Sequence, residues 1–226
     1  MKRIALINPN TSRVTTSMMT DIAQHALPAD VAIEGITAAR GVPMILDDGQ
    51  LAASAAEVVE MGMAASHLFD GIVIGAFGDP GIEQLRKVTD VPVIGICEAS
   101  MIEASAGGRR FGIATVTPKL IVSFASKAEA LGLNHLFTGT RLTKGDPEML
   151  ASDPVSLANE LAIAVEASFT LDGAEAVIIG GGPLGRAAAE LGQRFSAPIV
   201  APLTAAIRLL LLRMENRLAP GGGAHL

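Results

Sequence analysis

Cysteine, tryptophan and tyrosine are nearly missing from this chain: its 226 residues include one cysteine, Cys97, and no Trp or Tyr. A single thiol excludes an internal disulfide and any cysteine-based zinc cluster, and it fits a reducing cytoplasm. Positive charge is scarce as well. The net charge is −6 with no basic cluster, which argues against nucleic-acid binding. Long apolar runs are absent. Residues 209–212 are bracketed by Arg208 and Arg213, far short of the roughly 18–20 residues that a membrane span needs. Residues 1–8 are too short in their apolar part for a leader and run straight into a strand pattern. His25, His67, His135 and His225 show no ligand spacing, so no metal site is expected. No Gly-x-Gly-x-x-Gly follows the first strand, and Gly180-Gly181-Gly182 lacks the spacing and the lysine of a phosphate loop, so a nucleotide cofactor is not expected.

What the chain does have is aliphatic. Half of it is hydrophobic, with 3% aromatic and 18% charged residues, the composition of a compact α/β protein long enough to bury a substantial core. Strand patterns occupy residues 2–7, 31–37, 72–76 and 92–97, and helical patterns residues 15–26, 49–69 and 82–88, with a Gly/Pro loop at 38–46. Strands alternating with helices indicate parallel βαβ units.

The pattern then restarts. Residues 110–118 repeat the features of 3–10: a strand, then a Thr/Pro turn, then a helix that runs through Ala130. A strand at 133–137 and a long helix at 156–172 follow, with a loop at 142–153. The stretch Ile-Val-Ile-Gly-Ala-Phe-Gly-Asp-Pro-Gly at 72–81 returns as the glycine-rich stretch 176–185, and 91–96 returns as 197–202. Matches in the same order at a spacing of roughly a hundred residues indicate an internal duplication. The expected halves are 1–98 plus about 204–226, and 99–203, with the last helix, from about residue 204, crossing back to the first. The Gly221-Gly222-Gly223 tail reads as disordered.

In open α/β sheets ligands sit at strand ends that feed helices. Superposing the repeats sets Ala76 opposite Gly181, each after an aliphatic strand and a glycine. Facing positions across a cleft suit proton removal from one face of a carbon and return to the other, yet neither residue carries an acid or base. The Asn10, Thr11 and Ser12 turn, and Thr115 and Thr117 in the second repeat, either cap helices or offer donors to an anion. Asp79 is a candidate base or a structural turn residue. Glu98 is a candidate base or a helix-start carboxylate. Cys97 reads as inert core or as a catalytic residue.

On Asn8-Pro9-Asn10-Thr11-Ser12, Phe77-Gly78-Asp79-Pro80-Gly81, 92–96 with Glu98-Ala99, and Gly180 to Gly182, the chain resembles the Asp/Glu/hydantoin racemase family, in its hydantoin and allantoin racemase branch. The resemblance implies two pseudo-symmetric flavodoxin-like lobes with parallel sheets, an active-site cleft between them, no cofactor, and a small carboxylate or cyclic ureide as substrate. It places Asn10, Thr11, Ser12, Phe77, Gly78, Thr115, Thr117, Gly182 and Pro183 around that substrate. In the family two cysteines form the acid/base pair, and Ala76 and Gly181 stand at their positions here; Cys97 stands at neither. The expectation is a cofactor-independent racemase or isomerase with a non-cysteine acid/base, Glu98 first and Asp79 second, cytoplasmic and homo-oligomeric. The alternatives are a ligand-binding homologue without catalysis, and a decarboxylase, lyase or hydrolase using the same pocket.

Overall fold

The computed structural model describes residues 1–218, so the glycine tail and His225 lie outside the described residues. The first half runs β1 (Lys2–Asn8), α1 (Arg13–Gln24), β2 (Val31–Thr37), α2 (Asp48–Ala53), α3 (Ala55–Ser66), β3 (Gly71–Ile74), α4 (Ile82–Val88), β4 (Val93–Gly95) and α5 (Ile96–Ala104). The second runs β5 (Phe111–Thr115), α6 (Ile121–Ala130), β6 (Phe137–Leu142), α7 (Pro147–Ser152), α8 (Pro154–Thr170), β7 (Ala176–Ile179), α9 (Gly185–Arg194), β8 (Ile199–Val200) and α10 (Pro202–Leu218).

Two four-stranded parallel sheets result, ordered β2-β1-β3-β4 and β6-β5-β7-β8. The identical strand order is the duplication made visible. It extends to single hydrogen bonds: Gly75 N–H donates to Ile7 O and Gly180 N–H to Ala114 O, both at 2.8 Å.

Each sheet is covered on both faces, which is why its central strands are continuous aliphatic runs. Ile4 and Leu6 of β1 enter a large central core with Phe111 and Ile113 of β5 and residues of α1, α5, α6 and α10. The alternate residues Ala5 and Ile7 face outward under α3 and α4. Val177 and Ile179 do the same under α8 and α9. The two sheets therefore share an inner helical layer. α10 packs on α5, α1, β3 and β4, returning the chain to the first sheet. Among the described residues no helix is long and apolar enough to cross a membrane.

Several ends shift by one or two residues, and four segments differ from expectation in kind. The helix expected over 49–69 is broken at Ser54, whose hydroxyl donates back to Leu51 O at 2.8 Å and caps the preceding turn. The strand expected over 92–97 ends at Gly95, because Asp79 caps a helix that starts at Ile96. The strand expected over 133–137 begins only at Phe137. Residues 133–136 are a turn closed by Leu136 N–H on Leu133 O. The 142–153 loop contains α7, started by Asp146 accepting from the Glu148 and Met149 N–H groups.

Candidate active site

The site is built at the carboxyl ends of β1 and β3 in one half and of β5 and β7 in the other. The two glycine-rich turns meet there. A Cβ placed on Gly182 would lie 2.8 Å from Gly75 O, and one on Gly180 would lie 3.2 Å from Phe77 Cε1. These contacts are reciprocal about one pair, Ala76 with Gly181. Close backbone approach explains glycine at 182, where any side chain would strike the main chain.

Each turn is closed alike: Asp79 N–H donates to Ala76 O at 3.0 Å, and Leu184 N–H to Gly181 O at 3.2 Å. Ala76 is half-buried. Gly181 has φ 165° and ψ 132°, an extended conformation open to any residue. A Cβ there would lie 2.9 Å from Leu184 Cδ1. Leu184 therefore packs where a side chain at 181 would begin.

The Asn8 turn is internally organised. The buried Asn8 amide donates to Asn10 Oδ1, Ser12 O and Thr16 Oγ1 at 2.9–3.1 Å. Asn10 Oδ1 also accepts from Ser12 N–H at 2.9 Å, and Ser12 Oγ caps α1 by accepting from Thr15 N–H. Thr11 N–H donates to Val42 O at 3.0 Å. In the second half, the fully buried Thr115 hydroxyl donates to Gly180 O at 2.6 Å and lies 3.2 Å from Thr117 Oγ1, tying β5 to the Gly180–Gly182 turn. Gly182 is buried and Pro183 exposed.

The two candidate carboxylates are engaged in the framework. Asp79 accepts from the Cys97 and Glu98 N–H groups, both at 2.8 Å, at the start of α5. Lys127 Nζ reaches it from α6, 3.4 Å away, linking the halves. Burial pushes the Asp79 carboxyl up to about 6, against the opposing pull of Lys127 and the two N–H groups. Among the described residues Asp79 is the one non-glycine residue with positive φ, 52°.

Glu98 is the third residue of α5. Its Oε2 accepts from Arg86 Nη1 at 3.1 Å, its Oε1 pairs with Arg86 Nη2, and Oε1 also accepts from Gly95 N–H. Cys97 is fully buried; burial, and next the Asp79 charge, push its thiol well above the ordinary range, while Gly78 N–H points at the sulfur. The residues not singled out from sequence are Lys127, Arg86 and Leu184. Their partners lie 48, 12 and three positions away in the chain, and no local spacing marks them. Among the described residues no acidic, His or Cys cluster fits a metal.

Comparison with known proteins agrees with this geometry. The family model described as Asp/Glu/Hydantoin racemase matches residues 4–210. A hydantoin racemase of Paenarthrobacter aurescens is 26% identical over 209 residues, covering 92% of this chain and 89% of that protein. One of Rhizobium meliloti is 27% identical over 210 residues, covering 91% and 86%. The solved allantoin racemase from Klebsiella pneumoniae superposes with a TM-score of 0.90 at 26% identity, covering 100% of this chain and 96% of that one. Unliganded arylmalonate decarboxylase, at 21% identity and a TM-score of 0.65, shares the fold. With two facing parallel sheets and a match spanning most of its length, the chain belongs to the Asp/Glu/hydantoin racemase family.

Proposed function

We propose that this chain is a cofactor-independent racemase of a cyclic ureide, a five-membered hydantoin-type ring held against the strand-end turns with its α-carbon between Ala76 and Gly181. The observation that carries the reading is the reciprocal contact of the two turns about that pair. It brings one turn from each half to the same place, so that each can face one side of the ring, which is what proton removal from one face and delivery to the other requires. The similarity to hydantoin and allantoin racemases supplies the substrate class.

The α-carbon of such a ring adjoins a carbonyl, so its proton loss gives an enolate that hydrogen-bond donors stabilise. Donors are at hand in the Asn10–Ser12 turn and the Gly180–Gly182 turn. The acid and base are not cysteines. We infer that Asp79 and Glu98 hold α5 and the turns in place, because their oxygens are committed to N–H groups, Lys127 and Arg86. Water reaching the cleft then carries the proton. Without a positioned base the reaction forgoes about 10²- to 10⁴-fold per group, so the turnover is slow. The buried single thiol supports a cytoplasmic location. Exposed Val155 and Ile163 on α8 support a homo-oligomer, which light scattering would test.

The test is deuterium uptake at the α-carbon. In D₂O with 5-substituted hydantoins or allantoin, NMR should show saturable exchange above the buffer rate, unaltered in Cys97→Ala. A second reading, a ligand-binding homologue without catalysis, is favoured by the inert residues at both 76 and 181. It prevails if ligands bind measurably and none exchanges.

A further inference from the structure

Met19 lies beneath both glycine-rich turns. It is a fully buried residue of α1. A Cβ placed on Gly75 would lie 3.0 Å from Met19 Cε, and one on Gly182 would lie 2.5 Å from Met19 Sδ. Gly75 precedes Ala76 and Gly182 follows Gly181. One side chain of the first half therefore sits under the facing pair and lies against a turn from each half. Further along α1, Ile22 packs as closely under Gly185, where α9 begins.

The contact has a counterpart. α1 and α6 are the first helices of the two repeats, and Phe77 holds in the first turn the place that Gly182 holds in the second. Phe124 of α6 packs edge-on against Phe77, with ring centroids 5.0 Å apart, and Lys127 on the next turn of α6 reaches Asp79. Each half's first helix thus braces the other half's turn. The braces differ in kind: Phe77 brings its own ring to α6, whereas Gly182 has no side chain and Met19 fills the space. An unbranched thioether suits a gap bounded by two main chains. In a packed interior with few voids, a change in that filling displaces both walls.

We propose that Met19 is a positioning residue, a spacer that sets the separation of the Ala76 and Gly181 turns. A shorter side chain leaves the turns without their common support and moves the two positions between which the ring lies. That this spacing matters to a bound ring rests on the function proposed above; the spacer role does not.

Amide hydrogen exchange of the full chain tests the spacer. The reporters are Asp79 N–H, which closes the first turn on Ala76 O, and Leu184 N–H, which closes the second on Gly181 O. The reference is Phe111 N–H, on Leu136 O at the start of β5. Met19→Ala should speed both reporters about ten-fold relative to the reference. Met19→Leu, of similar volume, should restore both to within about two-fold. Met214→Ala is the control, because Met214 is a buried methionine beside Gly71 at the opposite end of β3; it should leave both ratios unchanged. A rise at one turn only, a rise shared equally with Phe111, or the same rise in Met214→Ala overturns the proposal. If Met19→Ala does not fold, Met19→Val carries the same comparison. A second measurement leaves the chain unaltered. With the methionine methyls isotope-labelled for NMR, saturating allantoin or 5-methylhydantoin should shift the Met19 signal and not that of Met214. A compound that binds by calorimetry and leaves Met19 unmoved overturns the proposal. If neither compound binds, the function proposed above falls and the exchange result alone decides the spacer.

Discussion

Replacing Asp79 with Asn removes the charge of the buried carboxylate that joins the two halves, and it also turns an amide NH2 onto one of the two helix N–H groups, a loss that does not vary with pH. The backbone tolerates the change, since Asn accepts a φ near 52° at least as readily as Asp. Its charged neighbours are Lys127 from α6 and Glu98 from α5, with the Cys97 thiol beside them. Burial raises the native carboxyl from 3.8 to about 6. A raised native value means that the folded state keeps a proton the unfolded chain has released. Asp79 thus contributes its full stability below about pH 4 and loses it as pH rises to about 6. Two pKa units correspond to about 3 kcal/mol. Urea unfolding of wild type and Asp79→Asn at several pH values between 3.5 and 7 measures the difference, in which carboxylates remote from Asp79 cancel. The stability of the Asn variant relative to wild type should rise by about 3 kcal/mol across this interval. A shift of opposite sign would show that Lys127 and the two helix N–H groups outweigh burial, and would refute the reasoning.

Gly181→Cys meets no backbone obstacle but forces Leu184 aside, so it should lower stability by about 1–3 kcal/mol; Leu184→Ala in the same chain should make the two losses less than additive in urea unfolding. If the site is a racemase site, Ala76→Cys with Gly181→Cys should raise α-carbon deuterium exchange, and a folded, ligand-binding double variant with no gain counts against it. Glu98→Gln removes the buried charged partner of Arg86, leaving the exposed Glu83 at 3.6 Å, and should cost about 1–3 kcal/mol with no specific loss of exchange. Lost exchange at unchanged stability would make Glu98 the base.

The alternation of helical and strand patterns made the α/β class legible, and the repeat made the two-sheet plan legible, because both are written in local periodicity. Boundaries failed where a distant side chain decided them. Near residue 96 the one local sign of a helix start is Glu98, which accepts from Gly95 N–H; two N–H groups of the first turn are capped by Asp79, brought there by the turn after β3. Nothing near residue 54 marks a break other than one serine whose hydroxyl turns back on the chain.

By itself the sequence determined the duplication, the glycine-rich turns at the strand ends, and the absence of a thiol at 76 and 181, because these depend on order and identity along the chain. Only the tertiary structure decided what the ionisable groups do. Asp79 stands in the turn after Ala76 and Glu98 just past the end of β4, yet folding turns their oxygens onto helix N–H groups, Lys127 and Arg86. A carboxylate's role follows from which donors surround it in space, and here those donors come from three helices, α4, α5 and α6, that only folding brings together.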